Sequence, residues 1–67
     1  LASYRIYYVG AGGRLRLDRD MDCAGDREAV EKLLDRRADG RAGELWNGGR
    51  LVGRFSKLGL FTPAVGS

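Results

Sequence analysis

Cys23 is the only thiol of the chain, and the chemistry open to it is attack by a thiolate. That chemistry needs a base, and the sequence contains no His. No cationic cluster beside Cys23 would lower its pKa either. Cys23 therefore reads as a small buried hydrophobe at a strand end. Ser3, Ser56, Thr62 and Ser67 lack the same base. One Cys without His also gives zinc no ligand set and excludes an internal disulfide. No catalytic, cofactor or metal site is expected, and no small-molecule substrate is evident.

Two motifs mimic ligand loops. Val9-Gly10-Ala11-Gly12-Gly13 looks like the start of a dinucleotide fingerprint, whose glycines let a backbone approach pyrophosphate ahead of a helix. Here Leu15 holds the third glycine position, and the residues that follow alternate like a strand. A hairpin turn accounts for the glycines better. Asp18-Arg19-Asp20-Met21-Asp22 mimics a calcium loop, but Cys23 stands where its glycine belongs and Ala29 where its closing Glu belongs. On a strand the three carboxylates form a solvated strip, open to pairing with Arg5, Arg14 or Arg16.

A third pattern is cationic. Arg36, Arg37, Arg41, Arg50, Arg54 and Lys57 are opposed in that part of the chain only by Asp39 and Glu44. With Trp46 and the three Tyr, this is the mix used by single-strand binders, where cations meet phosphate and aromatics stack on bases. Arg41, Arg50, Arg54 and Lys57 are the candidate nucleic-acid contacts. The competing reading makes the Arg residues solvated edges and Trp46 core. A net charge of +3 is weaker than a dedicated nucleic-acid footprint.

The elements that must position these residues follow from periodicity. Tyr4 to Val9 reads as a strand, with Tyr4, Ile6 and Tyr8 on one face and Arg5, Tyr7 and Val9 on the other. Arg14 to Cys23 alternates more clearly. Leu15, Leu17, Met21 and Cys23 share a face, with Arg19 the exception. A helix is expected from Arg27 to Ala38, with Asp26 as N-cap and an apolar stripe of Val30, Leu33, Leu34 and Ala38. Glu28 and Lys32 form a favourable i,i+4 pair, and Gly40 suits the stop.

Glu44 to Phe55 then reads as a hairpin around Asn47-Gly48-Gly49. A two-residue Gly48-Gly49 turn sets Asn47 against Arg50, with Trp46 and Leu51 on one face and Leu45 and Val52 on the other. A three-residue loop instead pairs Leu45 with Leu51. Either way, large apolar side chains point to both sides. One helix covers one face of a four-stranded sheet, so the other face is expected to carry exposed apolar surface, the usual mark of an interface. Tyr7, Leu45, Trp46 and Val52 are the interface candidates, and on that reading Val52→Asp yields folded monomers. The apolar tail, residues 56–67, could extend the last strand, cover this face or dock on a second chain.

The segments Tyr4-Arg5-Ile6-Tyr7-Tyr8, Ala38-Asp39-Gly40-Arg41-Ala42 and Glu44-Leu45-Trp46-Asn47-Gly48-Gly49-Arg50-Leu51-Val52 together resemble a group of very short bacterial proteins. These share a tyrosine-rich first strand, a helix ending in an Ala-Asp-Gly-Arg-like segment and a Glu-Leu-Trp hairpin. The likeness covers residues 4–55, implies a ββαββ arrangement and brings no functional residue with it.

At 67 residues the chain makes one domain, 1–67, with its core in 4–55. A chain this short is marginal alone, and without disulfide or metal it gains most from a well-packed core or a partner. No signal-like apolar run and no span of about 20 apolar residues occurs. A single Cys suits a reducing, cytoplasmic setting. The expected protein is an α+β ββαββ domain, a four-stranded antiparallel sheet with one helix on one face. Its expected role is a non-enzymatic interaction module that self-associates, as a homodimer, through the uncovered face, hairpin or tail, with nucleic-acid binding the alternative.

Overall fold

A computed structural model describes residues 1–36 and 40–65. The order is β1 (Ala2–Val9), a 3-10 turn (Ala11–Gly13), β2 (Leu15–Cys23), α1 (Asp26–Arg36), β3 (Gly43–Asn47), β4 (Arg50–Phe55) and β5 (Phe61–Pro63). The strands form one sheet in the order β2-β1-β3-β4-β5, every neighbouring pair antiparallel. Both β2 and β3 pair with β1, so they run parallel to each other, and α1 carries the chain over β1 between them. The α+β class holds, but the sheet has five strands where four were expected.

The fifth strand comes from the tail. Ser56 turns the chain: its Oγ accepts from the N–H groups of Leu58 and Leu60, each at 3.2 Å, and its own N–H donates to the Leu60 carbonyl at 2.9 Å. Phe61 then lies opposite Phe55, and Pro63 opposite Gly53. Pro63 lacks an N–H and is tolerated because β5 is an edge. The Phe55 ring covers Gly43 and the Phe61 ring covers Gly53, where a Cβ would strike the ring and a backbone carbonyl.

Two register shifts decide which way side chains face. Ile6 lies opposite Arg19 but Tyr7 opposite Leu17, so Asp18 is an extra residue in β2. Leu45 lies opposite Gly53 but Trp46 opposite Leu51, so Val52 is an extra residue in β4. Each bulge reverses the alternation beyond it. Leu15 and Leu17 consequently do not share a face with Met21 and Cys23, as unbroken alternation implies. They project from the opposite side.

The core lies between the sheet and α1. Tyr4, Ile6, Tyr8, Cys23, Leu45, Val52 and Phe55 from the strands meet Ala29 and Leu33 from the helix. Burying a side chain such as Leu33 or Leu45 contributes about 2 kcal/mol. The buried helix stripe is therefore Ala29 and Leu33, with Val30 partly buried, while Leu34 is 38% exposed. Ala38, expected to end that stripe, lies outside the described residues, as do Arg37 and Asp39.

Asp26 is the first residue of α1 instead of its cap. The Gly25 carbonyl accepts from the Ala29 N–H at 3.1 Å, which opens the helix one residue earlier. Lys32, and after it the Ala24 backbone N–H, hold the Glu28 carboxylate below its ordinary pKa. This ties the first helical turn to the chain entering it.

The candidate interaction face

The hairpin takes the two-residue Gly48-Gly49 turn, with Asn47 opposite Arg50 and Gly48 at φ +59°. Trp46 and Leu51 therefore project away from the helix, and Leu45 and Val52 toward it. Leu45 is 0% exposed and Val52 8%. The sequence reading puts both at the interface; both are core residues, Val52 because its bulge sends it and Gly53 to the helix side. Tyr7 and Trp46 do stand on the open face.

The register arranges that face in rows running from β2 toward β5. Asp22 and Ser3 form the first row. Asp20, Arg5, Trp46 and Leu51 form the second. Leu17, Tyr7, Glu44, Arg54 and Thr62 form the third, and Leu15 and Val9 the fourth. The apolar members make a diagonal band. It starts at Leu15, Val9, Leu17 and Tyr7 and ends at Trp46 and Leu51. Leu17 is 52% exposed, Leu15 43% and Val9 40%. A depression of about 310 Å³ within the band is lined by Tyr7, Leu15, Trp46 and Gly48.

Charged pairs occupy the two corners beside the band. In one, Arg5 Nε stands 3.4 Å from Asp20 Oδ1 across β1 and β2. In the other, Glu44 accepts from Trp46 Nε1 and from Arg54 Nε, each at 3.0 Å. The Glu44 side chain is 15% exposed and Arg54 68%, so the guanidinium stands outermost. These contacts also fix the indole, which holds Trp46 across the band.

The four nucleic-acid candidates do not share one surface. Arg54 is on the open face, bound to Glu44. Arg41 lies on the helix side, its guanidinium carbon 4.2 Å from the centre of the Tyr8 ring, which meets Phe55 edge-to-face at 5.6 Å. Lys57 is in the turn after β4. Arg50 lies at the opposite end of β4, about 13 Å along the strand from Arg54. There it grips Asp26 with two hydrogen bonds, at 2.8 and 3.1 Å.

The Tyr4 hydroxyl donates to the same carboxylate at 2.6 Å. Arg50, and after it Tyr4, hold Asp26 below the usual carboxylate range. The hydrogen bond to Asp26, followed by burial, raises the Tyr4 phenol. This cluster fastens β1, α1 and the hairpin together.

The remaining motifs take structural places. Gly12 and Gly13, at φ +76° and +77°, lie in the turn between β1 and β2, and a strand follows. Cys23 is fully buried in the core. Asp18 pairs with Arg19 and Asp20 with Arg5. Among the described residues, no cluster of three or more Asp, Glu or Cys side chains could hold a metal ion. Among the same residues, no helix is long and apolar enough to cross a membrane.

Leu15, Leu17 and Leu51 complete the face, and alternation alone does not gather them. The signal is present in two misfits: Arg19 in an otherwise apolar row, and Gly53 inside a strand, a common mark of a bulge. The fold and the face together define an α+β domain with one covered and one open sheet surface. No family model matches the chain, and neither a curated protein nor a solved structure matches it.

Proposed function

We propose that the chain is a non-enzymatic interaction module that self-associates as a homodimer through the open face of its sheet. The observation that carries this reading is the diagonal apolar band of Leu15, Val9, Leu17, Tyr7, Trp46 and Leu51 on a face that, among the described residues, α1 does not cover and the tail borders only beside Leu51. Large contiguous apolar patches mark interaction sites.

The sheet edges favour association by the face. At β2 the edge carries a bulge at Asp18 and a charged Arg19 on the helix side, both devices that discourage strand addition. At β5 the edge is three residues long and includes Pro63. The face has no such protection. The thirteen positions of the four rows, each about 4.8 Å by 6.6 Å, give roughly 400 Å² from each copy. Two copies bury about 800 Å² in total, the range of small, transient interfaces.

Light scattering after size exclusion tests the reading, with a mass twice that of the chain expected. Leu17→Asp should give a folded monomer, because the side chain is half exposed. Each dimer loses two buried leucines, about 3 kcal/mol or more, which weakens Kd at least about 100-fold. A monomeric parent at the highest soluble concentration would remove the proposal.

A further inference from the structure

Three connections meet at one end of the sheet: the turn from β1 to β2, the segment 40–42 that leads into β3, and the turn from β4 to β5. The register sets them side by side, because Tyr8, Gly43, Phe55 and Phe61 share one row. We infer that this end docks on an anionic lipid surface. The turn carrying Leu58 and Leu60 enters the headgroup layer, and Arg14, Arg16, Arg41 and Lys57 meet the anionic headgroups.

The cations at this end differ from those elsewhere. Arg5, Arg19, Lys32, Arg50 and Arg54 are each held by an acid. Arg14, Arg16 and Lys57 are exposed, and no side-chain ion pair or hydrogen bond joins them to another described residue. The Gly10 N–H donates to the Arg14 carbonyl at 2.6 Å. Arg16 lies opposite Tyr8, and its side chain passes over Gly10, with Cδ and Nε 3.5 Å from where a Cβ would stand. The Val9 N–H donates to the Ala42 carbonyl at 2.9 Å, which brings exposed Arg41 beside Gly10 from the other side. The Lys57 carbonyl lies against Gly40. These four residues thus run from β2 to β4, a width of about 14 Å. Between positions 35 and 39 the sequence carries two acids and two cations, which balance.

The leucines give the second observation. Leu58 is 88% exposed and Leu60 68%. Their turn is firmly built: the Gly59 N–H donates to the Ser56 carbonyl at 3.1 Å, and Gly59 takes φ +96°. Lys57 and Leu58 hold the two central positions of this turn. Apolar tips among cations match a bilayer surface, where leucines enter the boundary between headgroups and acyl chains and cations meet anionic lipids. A nucleic acid would engage the cations and leave the leucines in water. It would also need exposed rings for stacking, and Tyr8 and Phe55 in this row are buried, while Phe61 rests its ring on Gly53.

Co-sedimentation of the full chain with phosphatidylcholine vesicles, with and without about one third phosphatidylserine, tests this. The chain should bind the anionic vesicles at least about tenfold more tightly than the neutral ones. Added salt should weaken that binding. Arg14→Glu with Arg16→Glu should weaken it about 25-fold or more, since each cation at an anionic surface is worth about a factor of five. Leu58→Asp with Leu60→Asp should weaken it about tenfold or more. Val65→Asp changes a side chain that is 95% exposed toward the other end of the sheet and should leave binding unchanged. Far-UV circular dichroism verifies the fold of each variant, and if one pair of changes unfolds the chain, the other pair decides. A parent chain that ignores anionic vesicles, or that binds them equally after the changes, overturns the inference. A labelled single-stranded oligonucleotide is the second probe. A chain that binds it and not the vesicles has a nucleic-acid surface at this end, which overturns the lipid reading. None of these outcomes touches the open-face reading, which the mass of the parent decides.

Discussion

Asp26 joins three elements through one carboxylate, and its charge state should be visible in stability. Its pKa in the folded protein lies below the ordinary 3.8, because Arg50 and Tyr4 both bind the ionised form. The folded state therefore holds its proton less tightly than the unfolded chain. The resulting stabilisation is present in full above about pH 4 and is lost as pH falls through the folded pKa. Tyr4 behaves in the reverse sense. Its folded pKa is raised above 10.0, so its contribution is present below that value and is lost as pH rises through the raised one. Urea midpoints measured from pH 6 down to about 2.5 should show a steeper loss in the parent than in Asp26→Asn. Equal slopes would mean that Arg50 and Tyr4 do not hold the carboxylate in solution. Glu28, also held low by Lys32, leaves the variant a residual slope of the same sign.

Val52 poses a sharper question at the same scale. Alternation from the hairpin turn puts it on a face with Leu45, and that much was legible from Asn47-Gly48-Gly49. Which face met the helix was not. Val52→Asp should not yield a folded monomer; it sets a carboxylate in a buried position among Val30, Phe61 and the acidic Asp26 and Glu31, with Arg27 the one cation beside it among the described residues. The cost should be about 3 kcal/mol or more. Thermal melts of Val52→Asp and Leu17→Asp separate the two sides of the sheet. The first variant should melt far lower than the parent, and the second should keep the monomer fold. A Val52→Asp chain as stable as Leu17→Asp would contradict the placement of Val52 in the core.

Among the elements, β1, β2, the helix and the hairpin were readable because each has a clear period and turn residues at its ends. The open face was only partly readable, because one extra residue in a strand reverses everything after it. Without the bulge at Asp18, Leu15 and Leu17 would join Cys23 in the core, and the uncovered face would lose much of its apolar band. Without the bulge at Val52, Phe55 would point outward and Arg54 inward. The fifth strand was hidden for another reason. Residues 56–60 carry no strand signal, and the return of the chain depends on Ser56 bonds and on Phe61 meeting Gly53. Ser56→Ala removes the acceptor for two backbone N–H groups and should loosen β5 while sparing β1 to β4. Amide exchange should then quicken at Thr62 and Ala64 and remain slow at Ile6 and Leu45. Uniform quickening across the sheet would show that β5 is a cooperative part of the core.

For the whole molecule, the one helix among the described residues covers one side of the sheet and leaves the other side open. Its buried core is small, and an exposed face of this size leaves apolar surface that a second copy can remove from water. A dimer should therefore gain thermal stability with concentration, since a partner that binds only the folded chain shifts unfolding by mass action. The midpoint of the parent should rise on concentrating the sample, and that of Leu17→Asp should not.

The guarded edges carry a further consequence. A sheet that joins by its edges can accept another strand at each new end, and nothing in such growth makes it stop. In the proposed dimer each copy joins by its open face, and a two-fold contact consumes that face on both copies at once. On that proposal the joining face is used up within the pair, so crowding should produce more pairs rather than longer chains of them.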